Sequence, residues 1–142
     1  MSYGQLWADS GGVDCSVVGA YYLYPLNQAG LSENTTLNTT ATNYSITIGS
    51  TGVYSIDFDA SMYLQSGGPS VILVAVYKNG VAAGNDLLSS GQLNTNEQQA
   101  GVGISGLRSL NSGDILQVYV SASDNASNIF FETAQFRVTS QS

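Results

Sequence analysis

The sequence predicts an all-β sandwich, and three observations carry that expectation. The first is the stretch Gly52 to Leu64, in which Tyr54, Ile56, Phe58, Ala60, Met62 and Leu64 alternate with Ser55, Asp57, Asp59 and Ser61. A period of two sends these sets to opposite faces of a sheet, whereas a helix would spread them around its circumference. The second is a series of further apolar or alternating runs divided by Gly, Asn and Pro turn signals, about eight to ten strands in all. The third is that no segment reads as a helix.

The elements follow in order along the chain. Gln5 to Ala8 is a short first strand, followed by a turn at Gly11-Gly12. Ser16 to Tyr24 is a β-rich run stopped by Pro25, which cannot donate to a ladder. Asn27 to Asn43, rich in Asn and Thr, reads as a loop, and its near-repeat Asn34-Thr-Thr-Leu-Asn38-Thr-Thr is too short to mark a repeat fold. Tyr44, Ile46 and Ile48 alternate with Ser45 and Thr47, and Gly49 to Gly52 turns the chain into the long strand.

After the Gly67-Gly-Pro69 punctuation, Val71 to Tyr77 is apolar on both faces and ends in Lys78-Asn79-Gly80. Asn-Gly is a strong hairpin signal because both residues tolerate positive φ. Leu87 to Leu93 is a short strand, and Gln98 to Leu107 is one interrupted by glycines. Ser112-Gly-Asp114 turns into the alternating strand Leu116 to Ala122, a loop runs through Asp124-Asn125, and Ile129 to Thr139 closes the chain.

Composition excludes several functions. At 142 residues the chain is one domain by length, able to bury roughly two thirds of its unfolded surface. Hydrophobic residues make up 43% and charged residues 9%, so solubility rests on amides, hydroxyls and glycine. Lys78, Arg108 and Arg137 stand alone against ten carboxylates, with no histidine and a net charge of −7. Nucleic acid is excluded as a partner, because phosphate binding needs clustered cations that release counterions. Cys15 is the single cysteine, which leaves no intrachain disulfide and reads as a structural thiol.

The start, Met1-Ser-Tyr-Gly-Gln-Leu-Trp-Ala, has neither the basic residues nor the apolar run of a secretory signal, and no stretch reaches transmembrane length. The expectation is synthesis in a cytoplasm and no membrane insertion. The sequons beginning at Asn34, Asn38, Asn43 and Asn125 are accordingly read as polar loop and edge residues.

Several motifs together carry a resemblance: Gly52-Val-Tyr54 with Phe58, Val76-Tyr-Lys-Asn-Gly80, Leu110-Asn-Ser-Gly-Asp114 leading into Leu116-Gln-Val-Tyr-Val120, and Phe131 with Phe136. Their order resembles the jelly roll of the tumour necrosis factor and complement globular-head superfamily over residues 43 to 139. The resemblance implies a two-sheet antiparallel jelly-roll sandwich that assembles as a homotrimer, and it does not imply an enzyme. It places Val71 to Tyr77 in the outer sheet. The segment carrying Tyr21, Tyr22 and Tyr24 is then the candidate for covering that strand's second apolar face or for the trimer contact.

Three departures matter. The first forty residues match loosely, and the sequence from Met1 leads to the expectation of a domain with neither a collagen-like stalk nor a leader. Such a domain looks similar to bacteriophage proteins that use this fold as a fibre tip, head fibre or capsid decoration.

The candidate chemistry is sparse. Without histidine there is no Ser-His-Asp or Cys-His set and no histidine metal ligand. Asp57 and Asp59 share one strand face and would suit glycoside cleavage only if held about 5 to 9.5 Å apart across a sugar. The solvated face of an amphipathic strand explains them with less. No cofactor is expected; calcium is the one ion considered, through Asp9, Asp14, Asp86 and Asp124 in loops, although none shows the DxDxDG spacing. Gly101, Gly103 and Gly106 are no phosphate loop, since neither a lysine nor a helix follows.

These readings combine into one expectation. Residues 1–142 form a single jelly-roll domain, with residues 1–15 as a docking arm carrying Leu6 and Trp7. Tyr54, Ile56, Phe58, Val118, Phe131 and Phe136 serve core or trimer packing. The function expected is a noncatalytic virion structural protein, a trimeric capsid decoration or head-fibre and receptor-binding module. Its partners would be a phage capsid or tail protein or a host surface receptor, and its place the virion surface after assembly in the host cytoplasm. The alternative is a carbohydrate- or receptor-binding domain of a secreted or spore-surface protein.

Overall fold

The computed structural model describes residues 1–9, 11–67, 69–93 and 99–141. Gln98 and the middle glycine of the Gly67-Gly-Pro69 punctuation lie outside the described residues. The strands are β1 (Tyr3–Ala8), β2 (Gly11–Cys15), β3 (Tyr22–Leu23), β4 (Gln28–Glu33), β5 (Thr35–Thr40), β6 (Asn43–Ile48) and β7 (Gly52–Gly67). They continue with β8 (Ser70–Lys78), β9 (Val81–Ala82), β10 (Leu88–Leu93), β11 (Gln99–Leu110), β12 (Ile115–Ala122) and β13 (Ser127–Ser140). A single turn of 3-10 helix, Asn85–Leu87, precedes β10.

The strands form two antiparallel sheets packed face to face. The first runs β11-β7-β13-β1-β4 with β2 also on β13; the second runs β10-β8-β12-β6-β5, with β3 on β12 and β9 on β8. This is jelly-roll topology with thirteen strands among the described residues, more than the eight to ten expected. The surplus comes from short edge pieces.

The alternation of β7 works as the sequence implies: Tyr54, Ile56, Phe58, Ala60, Met62 and Leu64 all face the interior. Across the gap, Ile72, Val74 and Val76 of β8 and Leu116, Val118 and Val120 of β12 are fully buried. The inward set of β13 changes phase. Ile129 and Phe131 point in, the register shifts between Phe131 and Thr133, and Ala134, Phe136 and Val138 then take the interior positions. One extra residue on a bulged strand flips the parity of everything after it.

Three expectations are corrected. Asn27 to Asn43 is not a loop but the strands β4 and β5 and the start of β6, because its threonines are β-branched and single positive-φ residues supply the turns: Asn34 at φ 54° between β4 and β5, and Thr42 at φ 72° between β5 and β6. Ser16 to Tyr24 is mostly not a strand, since Gly19 at φ 82° and the Ala20 N–H to Val17 carbonyl bond turn the chain there, leaving only Tyr22–Leu23 to pair with β12. Residues 1–15 are not an arm either. β1 is an interior strand between β13 and β4, and β2 extends the pairing on β13.

The hairpin at Asn79-Gly80 forms with φ of 53° and 83°, the positive values a type I′ turn requires. The Asn79 side chain then ties this turn to the next one, accepting from the Ile115 N–H at 2.8 Å and donating to Asp114 at 3.0 Å.

Candidate functional site

Each sheet leaves one face outside the sandwich, and these faces hold most of the chain's exposed chemistry. On the first sheet, the outward residues of β11 are Gly101, Gly103, Ser105 and Leu107, in register with Ser61, Asp59, Asp57 and Ser55 of β7. With no side chain at two of these positions, the strip is flat. A Cβ built on Gly101 or Gly103 approaches only backbone oxygens, at 3.8 and 4.0 Å.

Apolar groups stand at both ends of the strip. Leu107 and Val53 are exposed at one end, and at the other Tyr63 and Phe130 pack ring to ring at 5.1 Å. Among the described residues β11 pairs on one side only, so a strand of twelve residues lies at the sheet edge.

The middle of this face is polar, and its Asp57 carboxylate is satisfied within the chain. Ser55 and Ser105 each donate to Asp57 at 2.8 Å, Arg137 donates to Gln135 at 2.8 Å, and its other nitrogen lies 3.5 Å from Asp59. Asp57 and Asp59 are therefore held in a structural network, each by a donor other than its neighbour. A shallow groove lined by Tyr3, Gln5, Leu31, Arg137 and Thr139 continues the face toward β4.

The two candidate docking residues separate here. Leu6 is completely buried in the core and offers nothing to a partner, which corrects that expectation, because the β1 pleat turns it inward. Trp7 takes the next position and lies half-buried on the outer face, opposite Gln135 of β13 and Gln28 of β4.

Of the six residues assigned to packing, all lie inside this chain's own core. Tyr54, Phe58 and Phe131 are 1% exposed, and Ile56, Val118 and Phe136 are fully enclosed. The Phe58 ring meets Tyr24 at 5.5 Å and Phe136 at 6.5 Å, both edge to face. Tyr24 also packs on Phe131 at 4.2 Å, so this tyrosine bridges the interior. Burial pushes its phenol pKa up, and its hydroxyl has no hydrogen-bond partner among the described residues.

The outer face of the second sheet explains the two-sided apolar character of β8. Tyr77 stacks on Tyr119 of β12 at 4.3 Å, and Tyr21 packs on Tyr77 at 5.8 Å. Beneath them Ala75 is only 2% exposed. The cover therefore comes from Tyr21, while Tyr24 goes to the core and Tyr22 caps the turn before it by accepting from the Val17 N–H. Burial raises the Tyr77 pKa, with help from the two neighbouring phenols.

The loop carboxylates considered for calcium do not converge. Among the described residues no group of three or more His, Cys, Asp or Glu is placed to hold an ion. Asp86 is gripped by both guanidinium nitrogens of Arg108, and this hydrogen bonding holds its carboxyl below the usual range. The clamp joins the loop before β10 to β11 and so links the two sheets. Asp124 accepts from the Val71 N–H at 2.8 Å and from Ser70, which lowers its pKa too. Asp9 and Asp14 are exposed singly. Cys15 is fully buried with its thiol pushed up to about 11, first by burial and then by Asp14.

No family model and no curated protein sequence matches this chain. Its structure is nevertheless similar to the globular domain of zebrafish complement 1qA protein, with a TM-score of 0.67 at 13% identity, covering 100% of this chain and 98% of that one. It is also similar to Eiger TNF from S. frugiperda, with a TM-score of 0.70 at 14% identity, covering 99% of this chain and 92% of that one. Both likenesses run the length of the chain, including the first forty residues, whose motifs matched only loosely. The fold is the jelly roll shared by the complement globular head and tumour necrosis factor.

Proposed function

We propose that this chain is a noncatalytic assembly module that forms a homotrimer and docks on a larger particle, as a capsid decoration or a head-fibre and receptor-binding unit on a virion surface. The observation that carries the reading is the outward face of the first sheet. It combines a flat Gly101-Gly103 strip, apolar groups at both ends, a twelve-residue strand that pairs on one side only among the described residues, and a polar centre whose Asp57 is held by Ser55 and Ser105. A second copy packed there would cover the edge strand and withdraw Leu107, Val53, Tyr63 and Phe130 from water.

The net charge of −7 per chain makes this economy of charge relevant, since three copies bring about 21 negative charges together. Satisfied carboxylates such as Asp57 meet a neighbour more easily than bare ones. The likeness to the complement globular domain and to a TNF supports the fold side of the proposal. The absence of histidine and, among the described residues, of any convergent carboxylate set supports the noncatalytic side.

Docking on a particle would use repeated weak contacts, with Trp7 as an aromatic anchor of the kind that dominates interfaces. Cosedimentation with capsids or virions of the protein's own source, for the native chain and Trp7→Ala, tests this step. Binding that Trp7→Ala weakens supports it. No binding by the native chain overturns it and moves weight to the carbohydrate- or receptor-binding alternative.

A further inference from the structure

We infer that the tyrosine ledge on the outer face of the second sheet is a binding site for a neutral oligosaccharide. Tyr77 and Tyr119 stack at 4.3 Å with their planes 32° apart, and Tyr21 extends the row at 5.8 Å from Tyr77. Tyr77 is taken up between the other two rings, so the outer rings of the row, Tyr119 and Tyr21, are the ones that can offer a face to the C–H face of a pyranose ring while the phenol hydroxyls remain polar.

Amides and hydroxyls border the ledge. Gln117 stands opposite Tyr77 in the register of β12 and β8, and its side chain reaches Asn43 at 3.5 Å, an amide that also accepts from Ser45 at 3.1 Å. These groups both donate and accept, which is what sugar hydroxyls require. At the Tyr21 end of the ledge, Ser121 on the same face is buried with no partner for its hydroxyl among the described residues.

Charge and size choose the occupant. Tyr21, Tyr77, Tyr119, Gln117, Asn43 and Ser45 are all uncharged in a molecule of net charge −7, so the site suits a neutral ligand. Half of three rings of about 150 to 250 Å² each leaves roughly 225 to 375 Å² in view, against about 800 Å² per partner in a standard protein interface. That is the footprint of a sugar or two. The inference names the chemistry of a receptor for the assembly proposed above, and it uses the sheet opposite the assembly face.

The test is saturation-transfer NMR and calorimetric titration of the full chain with lactose, maltose, cellobiose, mannobiose and chitobiose, with sialyllactose as a charged comparison. At least one neutral sugar should bind, Tyr119→Ala should weaken it by about tenfold or more, and Glu33→Gln, at an exposed position of β4 on the other sheet, should leave it unchanged. Gln117→Met keeps every ring and its length, so weaker binding at an unchanged melting point supports the site even if Tyr119→Ala unfolds. Binding by none of the neutral sugars, binding of sialyllactose alone, or neutral-sugar binding untouched by Gln117→Met overturns it. Light scattering on the same samples separates the two readings: a trimer that binds no sugar defeats this inference alone, and a monomer that binds sugar defeats the trimer alone.

Discussion

Replacing Phe58 by alanine asks whether the two faces of β7 do the separate jobs assigned to them. The ring is 1% exposed and meets Tyr24 and Phe136 edge to face, so its removal loses transfer energy, leaves a cavity and breaks two aromatic pairs. Phenylalanine-to-alanine changes in cores cost about 3 to 5 kcal/mol, and here the upper half of that range is expected because Tyr24 is itself enclosed and cannot swing in from a surface. For a domain near this size each kcal/mol moves the melting midpoint by about 3 to 4 °C, so the shift should be roughly 12 to 20 °C. Tyr63→Ala on the outer face is the counterpart. It should change the melt far less when measured on separated single chains, yet weaken assembly. Circular dichroism melts over a range of protein concentrations give both readouts. A Phe58→Ala midpoint within a degree or two of the native one, or a Tyr63→Ala loss as large as that of Phe58→Ala at every concentration, would refute the assignment of faces.

Three further outcomes are expected. Gly84 has φ 141° and ψ 165°, a glycine region, and a Cβ there would lie 2.7 Å from the Arg108 guanidinium; Gly84→Ala should therefore cost about 1 to 3 kcal/mol in a denaturant titration, and a neutral result would contradict the clamp geometry. Tyr24→Phe removes a buried hydroxyl without a protein partner among the described residues, so it should raise stability, by up to about 1 to 3 kcal/mol; a lower melting point would contradict this reading. Asp114, through the Asn111 N–H first and then the Asn79 amide, and Asp86 and Asp124 all have folded pKa values below the ordinary 3.8. Their contribution is complete above that value and lost as pH falls through the lowered values, so denaturant midpoints should drop below pH about 3.8, less so in Asp114→Asn.

The sequence showed most where local pattern and burial agree. The alternation from Tyr54 to Leu64 and the Asn79-Gly80 turn were legible because a pleat and a positive-φ pair each leave a mark within a few residues. The β13 bulge was not, since whether Glu132 is an extra residue depends on its pairing partner β7 and not on its own chemistry. β4 and β5 were hidden by composition: strands at a sheet edge can be threonine- and asparagine-rich because their side chains stay wet. The break at Gly19 inside Ser16 to Tyr24 leaves little mark in the sequence, since glycine also sits within strands, yet a glycine at φ 82° ends a strand as firmly as Pro25 does. The tyrosine ledge joins positions 21, 77 and 119, and only the strand order of the second sheet brings them together. Leu6 and Trp7 are neighbours in sequence, but the pleat sends neighbours to opposite faces.

The central claim is a trimer built on the outer face of the first sheet, and the mass of the native chain and of Gly103→Lys tests it most directly. Gly103 is extended backbone, and a side chain beginning there would meet only the Phe58 carbonyl oxygen at 4.0 Å, so a lysine fits the single chain and obstructs only a neighbour. Light scattering on a sizing column at micromolar concentration should give about three times 14.8 kDa for the native chain, and 14.8 kDa with an unchanged circular dichroism spectrum for Gly103→Lys. A native monomer, or a Gly103→Lys protein that remains trimeric, would contradict the account.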